Sequence, residues 1–300
     1  MDWERHLPRW PLAGLSRQVT VAPHRWHVQE CSEGETLLLI HGAGASTHSW
    51  RDMIPLLAVG HHVVALDLPG QGFTRVGARG RYGLEETAED LETLCIDRGW
   101  SPVALVGHSA GAAVALRLAD RLSGRIGQTP KVVGINPALS QFEGPAGRLY
   151  PLFARVLAAT PLAAAFFSFG NGNIAKARSL IGNTGSQLND EGLELYARLI
   201  SDRDHVDGTL KMMAHWSLDR LLSDLPDLAV DCLFITGAQD RAVPPDAIED
   251  LAGRMQSARV VRLPRLGHLL HEEQPERTAR LVLDFVDGAR AQDASAREGS

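Results

Sequence analysis

Gly107-His108-Ser109-Ala110-Gly111 sets a serine between two glycines as G-x-S-x-G, with the apolar run Val103 to Val106 before it and an alanine-rich helical segment after it. Strand, tight turn and helix in that order form a nucleophile elbow. The glycines have a steric reason: the serine takes a strained backbone conformation, and side chains at the flanking positions would collide with neighbouring strand and helix. A serine hydroxyl is a weak nucleophile at neutral pH, so it needs a base within hydrogen-bond reach and an acid to orient that base. Behind such an elbow the chain order is serine, acid, histidine. His268, in LPRLGHLLHEEQPE, follows the run Ala258 to Leu263 where the last strand of a sheet would end, and it is the base candidate. His271 is its rival, but beside Glu272 and Glu273 it reads as a solvated residue of a capping turn. Asp240 ends the strand-like CLFITGAQD ahead of Pro244 and Pro245, which puts it in a loop at a strand's carboxyl end, where open α/β sheets bind ligands. The competing reading of Asp240 is a turn aspartate bonded to its own backbone. An acid one strand earlier is excluded, because that strand ends in Asn136.

A tetrahedral oxyanion also needs donors. His41-Gly42-Ala43-Gly44 follows the strand-like TLLLI, where a loop would present a backbone N–H, and the residue after the nucleophile presents the second. The expected donors are Ala43 and Ala110. Other polar residues take structural readings. Asp67 in ALDLPGQG ends a strand ahead of the nucleophile and is read as holding the turn at Pro69 and Gly70. His108, the variable position of the elbow, is read as packing. His61 and His62 face opposite sides of a strand and make a poor metal pair. Asp204, His205 and Asp207 read as a solvated helix end, Trp50 as packing near the site, and Met212, Met213 and Trp216 as core residues that also suit a pocket wall.

These side chains need a frame to bring them together. Short β-rich runs recur along the chain: QVTVA, RWHVQEC, TLLLIHG, HHVVALDLPG, VALVGHS, VVGINPA, CLFITGAQD and ARVVRLPRLGH. Several are continuous apolar runs, as strands of a parallel sheet covered on both faces should be. Leu84 to Arg98 and Gly111 to Leu122 carry helical periodicity between two such strands, which gives βαβ order and a doubly wound sheet of eight strands. After Asn136 the alternation stops, and strand character returns at Cys232. The expected organisation is a core over 1–138 and 229–288, a helical cap over 139–228, and a flexible polar tail over 289–300.

Of 300 residues, 44% are hydrophobic and 22% charged, which excludes a collagen-like or disordered chain. The net charge of −6 is spread without long blocks, so no nucleic-acid surface is expected. Cys31, Cys95 and Cys232 are too few and too scattered for a disulfide framework or a zinc site, which points to a reducing compartment. The opening MDWERHLPRWPLAGL lacks the uninterrupted apolar stretch of an export signal, so a cytoplasmic location is expected. Val156 to Ala175 is uncharged, but Pro161 and the run Gly170 to Asn173 interrupt it, so no membrane-spanning helix is expected there.

HGAGASTHSW, DLPGQG, GHSAGAA, GAQDRAVPP and LGHLLHEEQP together resemble the α/β-hydrolase family over about residues 15 to 288. Within that family, RWHVQE, HGAGASTHSWRDMIPLLA, GHSAGAAVALRLA, NTGSQLNDEGLELYARLI and HVDGTLKMMAHWSLDRLLSDLP resemble the magnesium-chelatase accessory proteins of bacteriochlorophyll biosynthesis. The resemblance implies a pathway that inserts Mg²⁺ into protoporphyrin IX in photosynthetic bacteria. It also implies partners: a small apolar substrate such as a tetrapyrrole, or magnesium-chelatase subunits. Gln71 departs from the His more usual in DLPGHG, and Ala43 from a Thr of the oxyanion loop; a backbone donor survives both. The expected function is a serine hydrolase of an ester-like substrate, with Ser109, His268 and Asp240 as triad and no metal or cofactor. Ser109 excludes haloalkane dehalogenase and epoxide hydrolase chemistry, which need Asp at the elbow. A carbon–carbon bond hydrolase, a cofactor-free haloperoxidase and a non-catalytic porphyrin-binding or chelatase-binding protein with a vestigial triad remain as alternatives. For the last of these, the uncharged AATPLAAAFFSFGNGN would suit a large flat apolar ligand or a membrane surface.

Overall fold

The computed structural model describes residues 1–78, 80–125, 127–139 and 173–298, with 289–298 described by their backbone alone. Its frame is one eight-stranded sheet of β1 (Ser16–Val21), β2 (His24–Cys31), β3 (Thr36–Ile40), β4 (His62–Leu66), β5 (Pro102–His108), β6 (Lys131–Ile135), β7 (Cys232–Gly237) and β8 (Ala258–Leu263). The spatial order is β1-β2-β4-β3-β5-β6-β7-β8. β2 pairs antiparallel with β1 and with β4, and the pairs from β4 to β8 are parallel. The eight β-rich runs of the sequence are these eight strands, each ending within a few residues of the expected place.

Parallel strands need crossovers, and the helices supply them on both faces. Among the described residues the α-helices are α1 (Trp3–His6), α2 (Met53–Leu57), α3 (Leu84–Arg98), α4 (Ala110–Leu122), α5 (Ile174–Asn183), α6 (Asp190–Ser201), α7 (Arg203–His215), α8 (Asp219–Asp224), α9 (Pro245–Ala252), α10 (Leu270–Glu273) and α11 (Pro275–Glu298), of which α2, α3, α4 and α9 join consecutive parallel strands. Alternate residues of each strand face opposite layers. Leu38, Ile40, Val64, Leu66, Leu105 and Phe234 pack with α3, α4 and α9. Leu37, Leu39, Val63, Val106, Val133 and Ile235 pack with α2 and α11 on the other side. Burial on both faces is why these strands read as unbroken apolar runs rather than alternating ones.

Helices α5 to α8 occupy the described part of the stretch between β6 and β7, and no strand lies there among the described residues. Ala177, Leu193, Tyr196 and Leu199 of these helices share a buried cluster with Trp10, Phe73 and Leu269, so this layer rests on the N-terminal segment and on loops at the sheet's rim. The uncharged run Val156 to Ala175, and AATPLAAAFFSFGNGN within it, lie outside the described residues except for their last few positions. Helix α11 continues to Glu298, so the described part of the segment after Ala289 has helical backbone. Its alanines and charged residues are good helix formers, and extending an existing helix avoids the cost of nucleation. Among the described residues no helix is long and apolar enough to cross a membrane.

The register sets Gly134 of β6 beside Phe234 of β7, and a Cβ added at Gly134 would lie 2.8 Å from the Phe234 ring. Phe234 itself has no exposed surface. Phe234→Ala should therefore leave a cavity over the glycine and cost about 3–5 kcal/mol of stability, read as a lower urea midpoint at unchanged m-value.

Candidate active site

Ser109 sits between β5 and α4 with φ 52° and ψ −120°. A non-glycine residue persists there only if its surroundings over-determine it. They do: its N–H donates to the Ile135 carbonyl (2.9 Å), and its own carbonyl accepts from Ala112 (3.1 Å) and Ala138 (3.1 Å). The flanking glycines are needed for space. A Cβ on Gly107 would lie 2.3 Å from the Gly111 carbonyl oxygen, and one on Gly111 would lie 2.2 Å from that of Ile40. Helix α4 thus starts against the end of β3, and the Ala110 N–H beside Ser109, first in the helix, has no intrahelical acceptor.

The loop after β3 lies over the elbow. A Cβ on Gly42 would lie 2.9 Å from the Ser109 Cβ. His41 fixes the loop from below: its Nδ1 faces the Gly42 carbonyl (2.7 Å) while its Nε2 accepts from the Leu68 N–H (2.9 Å). That pattern requires a neutral ring, and burial pushes its pKa down. Ala43 is exposed at the loop's tip. Gly44 donates to Gln71 Oε1 (2.7 Å).

Asp240 and His268 follow β7 and β8, and the parallel register brings their loops together. Asp240 Oδ2 lies 2.8 Å from His268 Nδ1, and Asp240 Oδ1 accepts from the N–H groups of Ala242 (2.7 Å) and Val243 (2.9 Å). One oxygen of Asp240 makes the turn and the other meets the imidazole. Among the described residues no hydrogen bond joins the His268 ring to Ser109. What links their loops is a pair of side chains, His108 and Asn136, bonded to the His268 backbone. The His268 carbonyl accepts from His108 Nε2 (2.9 Å) and from Asn136 Nδ2 (2.7 Å), and Asn136 also reaches the Gly267 carbonyl (2.9 Å) and accepts from the Gly237 N–H (2.7 Å). On either side, Gly267 N–H donates to Glu273 Oε1 (3.0 Å) and Leu269 N–H to Ser186 Oγ (2.7 Å). One carboxamide therefore ties the end of β6 to the loops of both Asp240 and His268.

Two sequence expectations need correction. His271 is not solvated: it is fully buried, stacked 4.4 Å from the His108 ring and 4.8 Å from Trp50, and burial pushes its pKa down to about 3. Glu272 beside it is buried too, between Arg51 Nη1 (2.6 Å) and the Tyr196 hydroxyl (2.7 Å). This network joins α6, α10 and the segment before α2, and nothing local in the polar run HEEQPE marks Glu272 as its buried member. His205 is likewise buried, at 2% exposure, so the solvated reading holds only for its neighbours Asp204 and Asp207, which pair with Arg75 and Lys211. His108 and Trp50 pack as expected. Met212 lies in the core and accepts from Gln71 Nε2 (3.0 Å).

Asp67 is fully buried just past β4. Its Oδ1 accepts from Thr47 N–H (2.7 Å), and its Oδ2 accepts from Phe73 N–H (2.8 Å) and faces His27 Nδ1 (2.7 Å). It closes the turn after β4, as read from the sequence. Among the described residues no cluster of His, Cys, Asp and Glu could hold a metal ion, and the three cysteines are free.

A doubly wound sheet with a strained serine after β5, an acid after β7 and a histidine after β8 defines a class, and comparison gives it a name: the chain belongs to the alpha/beta hydrolase family, whose description matches residues 37–281. It is 41% identical over 287 residues to the "Magnesium-chelatase 30 kDa subunit" of Rhodobacter capsulatus, covering 95% of this chain and 99% of that protein. It is 28% identical to a "2-hydroxy-6-oxononadienedioate/2-hydroxy-6-oxononatrienedioate hydrolase 1" of Dechloromonas aromatica, over 87% of this chain and 90% of that one. Among solved structures, an alpha/beta hydrolase fold protein from Burkholderia ambifaria superposes with a TM-score of 0.71 at 25% identity, covering 90% of this chain and 97% of its own.

Two outcomes test this geometry. Asn136→Ala strands the Gly237 N–H and two carbonyls, so it should cost about 1–3 kcal/mol in urea unfolding. For Asp67, burial pushes the carboxyl up, but the His27 ring, helped by the Phe73 amide, outweighs it and holds it well below the ordinary range. A depressed carboxyl contributes stability that is present above its unfolded pKa of about 4 and is lost as pH falls toward the folded value. Wild-type stability should therefore drop more steeply below pH 4 than that of Asp67→Asn, measured by denaturation at a series of pH values.

Proposed function

We propose that the chain is a serine hydrolase acting on an ester-like or related small apolar substrate, in association with magnesium chelatase and bacteriochlorophyll biosynthesis. The observation that carries the chemistry is the 2.8 Å contact between Asp240 Oδ2 and His268 Nδ1 at the same rim of the sheet as the strained Ser109. Against a carboxylate, Nδ1 carries the proton, so Nε2 is the basic nitrogen. In the proposed reaction Ser109 Oγ attacks the substrate carbonyl and passes its proton to His268 Nε2, and Asp240 stabilises the imidazolium. The tetrahedral oxyanion rests on the N–H groups of Ala43 and Ala110, near the positive end of α4. The leaving group takes the proton from His268, and water, activated by the same ring, releases the acyl group from Ser109.

The pathway assignment is supported by the 41% identity to a protein named as a magnesium-chelatase subunit. That name also supports a second reading, in which the cap and rim bind a tetrapyrrole or a chelatase subunit without turnover. The relative named as an oxononadienedioate hydrolase keeps a different substrate for the same residues in view. A fluorophosphonate probe separates catalysis from binding. Wild type should be labelled, Ser109→Ala should not, and Asp240→Asn should be labelled about 10⁴-fold more slowly because the imidazole loses its tautomer. Folded wild-type protein that resists the probe would refute the hydrolase reading and leave the binding one, which absorbance titration with protoporphyrin then tests.

A further inference from the structure

Four residues of α7 at helical spacing, His205, Gly208, Thr209 and Met212, face the loop after β3, which covers the elbow, and the turn after β4. The intervals of three, four and seven residues put them on one face of the helix. Gly208 lies backbone to backbone on the turn after β4: a Cβ there would stand 1.9 Å from the Gly70 carbonyl oxygen. Thr209 approaches the next loop, with its methyl 3.6 Å from a Cβ built on Gly44. Met212 Sδ accepts from Gln71 Nε2 (3.0 Å), while Gln71 Oε1 accepts from the Gly44 N–H (2.7 Å). His205 spans both loops: its Nδ1 accepts from the Gly72 N–H (3.0 Å), and its Nε2 faces the Gly44 carbonyl (3.2 Å).

The two contacts fix the tautomer. An N–H pointing at Nδ1 leaves that nitrogen bare, so Nε2 carries the proton and donates it to Gly44. A neutral ring suits the site, where burial, with the N-terminal ammonium nearby, pushes the His205 pKa down to about 4. Gly44 is thereby held by its N–H through Gln71 and by its carbonyl through His205, one residue from the Ala43 N–H. We infer that His205 is a positioning residue for the oxyanion loop, supplied by the cap: it pins Gly44 to Gly72, so the loop keeps its shape only while α7 is docked. The departure of Gln71 from the more usual His then has a counterpart, since the imidazole beside this loop comes from α7 instead. This inference rests on the hydrolase reading for its kinetic consequence, but not for its structural one.

The test compares wild type, His205→Phe and His205→Gln. Phenylalanine fills the space with neither donor nor acceptor; glutamine offers both. Two readouts are taken: the rate at which a fluorophosphonate labels Ser109, and hydrogen exchange of the peptides that contain Gly44 and Gly72. His205→Phe should slow labelling at least about tenfold, a fraction of what losing a whole oxyanion donor costs, and should speed exchange in both peptides. His205→Gln should recover most of each. A folded Phe variant that labels and exchanges like wild type overturns the inference, and so does a Gln variant as impaired as Phe. Should the Phe variant fail to fold, wild type decides: in dilute denaturant the Gly72 peptide and α7 should open together, and independent opening overturns the inference. If wild type resists the probe, the hydrolase reading fails by itself and the exchange data still judge the bridge.

Discussion

Ser109 holds a positive φ because the backbone on every side leaves it no alternative. Helix α4 begins so close to β3 that the Gly111 position tolerates no side chain against the Ile40 carbonyl, and the Gly107 position tolerates none against Gly111. Strain of this kind costs about 1–3 kcal/mol and survives only inside a rigid frame. The parallel register of β3, β5 and β6 supplies that frame, and every other element of the rim is placed relative to it. If the elbow relaxed, the helix terminus, the loop over Gly42 and the loops of Asp240 and His268 would lose their common reference.

Around that strained point three buried histidines hold the loops of the rim by their backbone groups. His41 joins the Gly42 and Leu68 backbones, His108 reaches the His268 carbonyl, and His205 bridges Gly44 and Gly72. Each is buried, and burial favours the uncharged ring. An imidazole edge offers one donor and one acceptor, which suits loop backbones that have no ladder partners. His268 differs: its Nδ1 meets a carboxylate, and its side chain keeps about a tenth of its surface exposed. His27 also meets a carboxylate, that of Asp67, but keeps no exposed side-chain surface, so it is exposure together with the carboxylate partner that sets His268 apart.

The cap is fastened to the same rim. Besides α7, the Tyr196 hydroxyl of α6 meets Glu272, and Glu272 in turn meets Arg51. Burial raises the pKa of Glu272 in spite of these partners. Breaking such a buried pair is costly because the remaining charge is stranded. The network therefore resists separation of α6 from the short helix that follows His268.

The strands, the glycine-flanked turn at Ser109 and the loop positions of Asp240 and His268 could be read directly from the amino-acid sequence, because each depends on local rules: apolar runs, glycine spacing, and a loop after a strand. The helices read as Leu84 to Arg98 and Gly111 to Leu122 are legible for the same reason, the second starting one residue earlier in the fold. Which polar residues became buried was not legible. His271 and His205 looked solvated beside their acidic neighbours, yet one is stacked under Trp50 and the other is inserted between two loops more than a hundred residues away along the chain. Asn136 was noted only as the absence of an acid, and its role in joining Gly237, Gly267 and His268 depends on three strands lying side by side. Local propensity determines which element a residue joins. Only packing decides which groups lose water, and with it their charge and their partners.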